Sequence, residues 1–149
     1  MSEHVYKSHN KSMLLYHLVS PIKYRRSVLT EEVEKSLVEV CKDIEKRFEI
    51  DFIEVGADKN HVHFLIQSVP MMSPKQITQV VKSITARELF RLHPEVKHQL
   101  WGGQFWSDGY YINTVGQYAN ESVIQKYIHE QGEDKNEYKK LHENQLRLF

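Results

Sequence analysis

Two histidines one residue apart, His61 and His63, are the side chains in this sequence best spaced for chemistry. The stretch from Asp58 to Ser68 alternates as a strand does, with Val62, Phe64 and Ile66 on one face and His61, His63, Leu65 and Gln67 on the other. Two strand residues span roughly 6–7 Å, close enough for both rings to converge on one ion. Neutral imidazole is the commonest nitrogen ligand for divalent metals, but two donors rarely complete a site, so the rest of the chain must contribute. The competing reading is a half-exposed histidine pair that binds nothing.

The elements that must position this pair follow from periodicity and end signals. Residues 12–19 read as a buried strand ended by Pro21, followed by a basic loop. Thr30 caps a helix over 31–48 whose apolar stripe is Val33, Leu37, Val40, Cys41, Ile44 and Phe48. Residues 50–56 form a second strand, and 56–60 close a hairpin onto the histidine strand. If Ile53 and Val55 face the core, Glu54 points to the histidine side, either as a carboxylate supporting the ligands or as an ordinary surface residue. Ser73, Pro74 and Gln76 start a helix carrying Ile77, Val80, Val81 and Ile84, which runs to about Leu92 before Pro94 stops it. The glycine-broken segment 100–108 holds Trp101, Phe105 and Trp106, available either for stacking on bases or for packing on the core. A strand over 110–115 and a helix over 121–131, capped by Asn120, complete the order. Strand, helix, strand, strand, helix, strand is the order of an α+β, ferredoxin-like or RRM-like split βαβ sandwich: an antiparallel sheet, helices on one face, the histidine face open, and an added C-terminal helix. Residues 1–131 are expected to form one domain, with 132–149 a charged tail, mobile or partner-binding.

Composition narrows the class. The 149 residues suffice for a single core without disulfides, and Cys41, the only cysteine, sits in a helical stripe as a small core residue. No apolar run approaches a membrane span and the N-terminus lacks a signal-peptide stretch, so a cytoplasmic protein without membrane association is expected. Lys plus Arg and Asp plus Glu each number 20, and the resulting zero net charge argues against coating nucleic acid through an overall field. Local clusters remain. Lys23, Arg25 and Arg26 form one, and Lys82, Arg87 and Arg91 line one helix; each is either a solvated face or a set of phosphate contacts.

Tyr127 and Gln131, four apart on the last helix, share a face and offer a phenol and an amide oxygen, or simply a core tyrosine and a polar helix end. With these residues the chain resembles the single-tyrosine transposases of the IS200/IS605 insertion-sequence type, a branch of the nucleases with a histidine, hydrophobic, histidine (HUH) metal motif. The matching stretches are Tyr16-His17-Leu18-Val19 with Lys23-Tyr24-Arg25-Arg26, His61-Val62-His63, Leu100 to Trp106, Thr114-Val115-Gly116, and Gln125-Lys126-Tyr127-Ile128 with Gln131. The order spans the chain to Gln131. Two positions depart from the pattern: Asn60 stands where many relatives carry aspartate, removing a charge beside the metal, and Ser20-Pro21 replaces an aromatic-cysteine pair.

The resemblance implies that His61, His63 and Gln131 hold a divalent metal, magnesium or manganese; Glu54, from its place on the strand, and Asn60 are the candidates to support those ligands. Tyr127 is then the nucleophile that cuts and rejoins single-stranded DNA at insertion-sequence ends through a 5′-phosphotyrosine. It also implies recognition of subterminal DNA hairpins, and a homodimer in which the tyrosine helix of one protomer completes the histidine site of the other. Lys23, Arg25, Arg26, Lys82 and Arg87 are the candidates for DNA backbone contacts. The alternatives are a domesticated transposase associated with repetitive palindromes and a hairpin-binding module that does not cleave. A water-using metal hydrolase is disfavoured because no carboxylate stands at a diagnostic spacing from the histidines.

Overall fold

The computed structural model describes residues 14–116 and 138–140. Strand β1 (Leu14–Pro21) leads through a single 3-10 turn at Lys23–Arg25 to helix α1 (Glu31–Arg47), then β2 (Ile50–Ala57) and β3 (His61–Ser68). Helix α2 (Pro74–Leu92), the short α3 (Pro94–Gln99), β4 (Tyr111–Gly116) and β5 (Tyr138–Lys140) follow. The sheet order is β4-β1-β3-β2-β5, with every neighbouring pair antiparallel. Its first four strands have the order of the ferredoxin-like sandwich, as the sequence implied.

The helices form where the end signals place them. Thr30 Oγ1 accepts from the Val33 N–H at 3.3 Å, and Ser73 and Gln76 make the reciprocal capping box. Val33, Leu37, Val40, Cys41 and Ile44 of α1, with Ile77, Val81, Ile84 and Leu89 of α2, pack against Leu18, Phe52, Val55, Val62, Phe64 and Ile66 of the sheet. Both helices therefore cover the face opposite the histidines. Thr78 and Thr85 are buried on α2 as well, each returning its hydroxyl to a carbonyl four residues back. Thr85 Oγ1 also accepts from the indole N–H of Trp106 at 2.9 Å.

Several sequence expectations need correction. On the histidine face Leu15, Asp51, Glu54, Leu65 and Gln67 are buried, while Val19, His61 and His63 are half-buried. Alternation tells which side a residue faces and is silent about what lies over that side. Pro21 does end β1, as the last paired residue opposite His61, where no N–H is needed; its carbonyl accepts from the Ser107 N–H at 2.8 Å, and Ile22 makes an isolated bridge to Trp106. The register between β2 and β3 shifts between Phe52 and Glu54, so Ile53 is the extra residue of a bulge and stands apart from the helix-side core. Pro94 stops α2 but also opens α3 from the first helical position, where its missing N–H is harmless. Within 132–149, Tyr138–Lys140 pairs antiparallel with Glu54–Gly56 as an edge strand. The helix over 121–131, with Asn120, lies outside the described residues. Among the described residues no helix is long and apolar enough to cross a membrane.

The buried Thr85–Trp106 hydrogen bond yields the first test. Thr85→Val keeps the shape but orphans the indole N–H, and should lower unfolding free energy by about 1–3 kcal/mol, whereas Thr85→Ser should lose less. Denaturant unfolding of the two variants measures the difference, and equal losses would show that the bond contributes nothing.

Candidate metal and nucleic-acid site

The antiparallel register of β1 and β3 places Val19 opposite His63 and His17 opposite Leu65, so His17 and His63 are diagonal neighbours on one face. Their rings stack at 5.0 Å between centroids with 14° between planes, and His17 Nε2 lies 2.8 Å from His63 Nδ1. His61 meets His63 edge-on, with centroids 4.8 Å apart. Three imidazoles thus form one row.

Hydrogen bonds decide which nitrogen of each ring can serve as a donor to a metal. Burial pushes the His17 pKa down to about 4, so the ring is neutral at physiological pH and keeps a lone pair. When His17 Nε2 accepts from His63 Nδ1–H, the Nε2 of His63 is the nitrogen left with a lone pair. The side-chain oxygen of Asn60 accepts from His61 Nδ1 at 2.9 Å, which leaves Nε2 of that ring as the donor too. Two imidazoles with Nδ1 protonated would present two nitrogen donors, the chemistry that the expected divalent ion takes. Among the described residues no three His, Cys, Asp or Glu side chains group as a ligand set. A further donor has to come from elsewhere. Gln131, and the proposed nucleophile Tyr127, lie outside the described residues.

Other candidates are distributed as follows. Asn60 sits directly on His61. Glu54 is on the histidine face, buried and paired with Leu65, while Gly56 is the residue opposite His63. Asp58, which the sequence reading passed over, brings Oδ2 to 3.5 Å from His61 Nε2. The expectation that no carboxylate stands beside the histidines is therefore corrected, because the tight hairpin folds residue 58 back onto residue 61, with the Asp58 N–H on the His61 carbonyl at 2.9 Å. His17 was also passed over as a site residue; its role depends on cross-strand register, which no local pattern reveals.

The basic candidates separate into two groups. Lys23, Arg25 and Arg26 occupy the turn after β1, and Arg25 lines a cavity of about 420 Å³ together with His61, Pro21, Tyr110 and Tyr111. Lys82 and Arg87 line a larger cavity of about 810 Å³, between α2 and residues 104–110, which does not include the histidines. Lys82 is partly committed: its Nζ donates to the Ser107 carbonyl at 2.9 Å and lies 5.0 Å from the Tyr110 ring centre. Burial lowers its pKa and the Asp108 carboxylate opposes that shift. Of the aromatic loop, Phe105 and Trp106 pack in the core and Trp101 stays exposed.

The chain is an α+β sandwich with paired imidazoles on a central strand, next to a basic turn. Residues 10–131 match the family described as Transposase IS200 like, and the chain belongs to that family. It is similar to the ISDra2 transposase TnpA of Deinococcus radiodurans, 35% identical over 118 residues that cover 79% of this chain and 84% of that protein. It is also similar to the transposase for insertion sequence element IS200 of Salmonella typhimurium, 28% identical over 129 residues, covering 86% and 84%. Among solved structures, a candidate transposase from Deinococcus radiodurans R1 superposes with a TM-score of 0.65 at 30% identity, over 80% of this chain and 91% of that one. A REP-associated tyrosine transposase bound to a REP hairpin shares the fold, with a TM-score of 0.53 at 12% identity over 87% and 68%.

The His17–His63 bond is directly testable. His17→Phe preserves a stacked ring but accepts nothing, and should weaken manganese binding by roughly 10- to 100-fold, the usual effect of losing a group that orients a metal-bound histidine. Titration calorimetry on the folded variant measures this; binding as tight as the parent's would show that His17 does not set the donor nitrogen of His63.

Proposed function

We propose that this protein cuts and rejoins single-stranded DNA at insertion-sequence ends through a covalent 5′-phosphotyrosine at Tyr127. Membership of the IS200-like family supports a transposase. The observation that supports the finer reading is the row of His17, His63 and His61, with Nδ1 of His63 against His17 and Nδ1 of His61 against Asn60.

In this reading the Tyr127 phenol oxygen attacks the phosphorus, the bond to the 3′ oxygen breaks, and the phenolic proton leaves to solvent or a nearby base. The products are a phosphotyrosine on the 5′ side and a free 3′-hydroxyl. Because the ester is exchanged and not hydrolysed, a 3′-hydroxyl from another strand can reverse the step without a nucleotide cofactor. His61, His63 and Gln131 would hold magnesium or manganese, which supplies charge neutralisation on a non-bridging phosphate oxygen. Asn60 and His17 orient the two imidazoles, and Arg25, sharing the cavity with His61, supplies fixed positive charge near the phosphate. Hairpin recognition fits a fold on which another protein, a REP-associated tyrosine transposase, is bound to a REP hairpin. The two-protomer arrangement, with Tyr127 completing a partner's histidine site, belongs to the same proposal.

Incubation with hairpin-bearing single-stranded DNA and magnesium should yield a covalent protein–DNA adduct, seen as a mobility shift on denaturing gels. Tyr127→Phe should abolish it, and His63→Ala or a chelator should reduce it by roughly 10²-fold or more, as for loss of charge stabilisation at a reacting phosphate. An undiminished adduct in Tyr127→Phe would remove the tyrosine from the mechanism.

A further inference from the structure

Among the described residues, strain and exposed aromatic surface coincide at one place. Among the described residues other than glycine, only Tyr24, Arg25 and Trp101 have positive φ, at 60°, 54° and 56°. Side chains of L residues adopt that region only at a cost in stability, and such residues gather where binding requires them. Trp101 occupies the residue after the C-cap of α3: the Gly102 N–H reaches the Lys97 carbonyl at 2.8 Å and the Trp101 N–H reaches His98 at 3.0 Å, the bond pair of a Schellman motif. Glycine is the usual residue there. Here it is tryptophan, with 68% of its surface exposed, beside Tyr24 at 57%.

The two rings meet edge to face, 5.0 Å between centroids. The Arg26 guanidinium carbon lies 4.9 Å from the Trp101 ring centre, and Lys23 Nζ lies 5.4 Å from that of Tyr24. Folding physics gives no reason for large rings on strained backbone that bury so little. The patch is nevertheless held firmly. The Lys23 N–H donates to Phe105 at 2.9 Å and the Ile22 N–H to Asn60 at 2.7 Å, tying the turn to the loop that follows Trp101 and to the residue that orients His61.

We propose that Tyr24 and Trp101, flanked by Lys23 and Arg26, form a stacking platform for an unpaired base of single-stranded DNA, close to the phosphate handled at His61 and His63. Exposed aromatic faces take up bases whatever their sequence, and neighbouring cations follow the phosphates. A paired base inside a duplex has no free face to offer, so the platform selects single strands. The inference rests on the DNA reading above, and its position relative to the phosphate follows from Arg25, which shares the His61 cavity and lies between Tyr24 and Arg26 in the chain.

The test is fluorescence anisotropy of the full-length protein with labelled single-stranded DNA in the presence of chelator, so that binding is read without cleavage. Trp101→Gly and Tyr24→Gly should each weaken binding about fivefold or more, while Tyr24→Phe, which keeps the ring, should bind as the parent does. One abasic position in the oligonucleotide should reproduce the loss and add nothing to Trp101→Gly. Thermal unfolding of Trp101→Gly should be unchanged or shifted upward, since glycine accepts the strained φ; a ring that only supports the fold would shift it downward. Parent-like binding by both glycine variants, equal losses on duplex and single strand, or dissociation of an oligomeric parent into monomers on substitution would each overturn the platform. Failure of the parent to bind single-stranded DNA would overturn both readings. Binding that depends on the rings without any Tyr127 adduct would uphold the platform and sink the cleavage mechanism alone.

Discussion

The antiparallel register between β1 and β3 is the constraint on which the rest depends. It sets Leu18 against Phe64 and Ser20 against Val62 on the helix side, and so places His17 diagonally from His63 on the other. A slip of one residue would send every side chain of β1 to the opposite face, putting Tyr16 and Leu18 among the imidazoles and His17 in the hydrophobic core. Large apolar residues buried on one face therefore protect a polar arrangement on the other. The core stabilises the fold and also sets which imidazoles meet.

The polar side of the sheet has its own logic. A histidine offers a metal one nitrogen only if something holds the proton on the other. Asn60, where a carboxylate would add charge, still provides an acceptor oxygen to His61 at 2.9 Å. His17 Nε2 lies 2.8 Å from His63 Nδ1 across the strand pair, and burial keeps the His17 ring neutral. The departure at residue 60 thus removes a charge and leaves the orienting hydrogen bond intact.

At the end of the same strand pair, backbone hydrogen bonds from Ile22, Lys23 and Ser107 stitch three segments into one corner: the basic turn, the hairpin before His61 and the loop after Trp101. These segments are far apart in the chain. Their convergence sets cationic and exposed aromatic groups beside the imidazoles, while the larger groove with Lys82 and Arg87 lies against α2. The corner accepts three strained residues where an unstrained turn and a glycine cap would give a more stable fold, which is the usual mark of a surface shaped by binding.

Local pattern sufficed for much of this. The stripes on α1 and α2, the caps at Thr30 and Ser73, the alternation that separates His61 and His63 from Val62 and Phe64, and the hairpin between β2 and β3 all follow from periods and end signals that act over a few residues. The ordered motifs likewise pointed to the transposase family. The bulge at Ile53, the burial of much of the histidine face, the edge strand at Tyr138–Lys140, the reach of Asp58 to His61 and the junction of Tyr24 with Trp101 were decided by tertiary structure alone. Each depends on which strands pair, in what register, and on which segments meet once they have paired. Those are long-range choices made by packing the whole sheet, and a short stretch of sequence does not contain them.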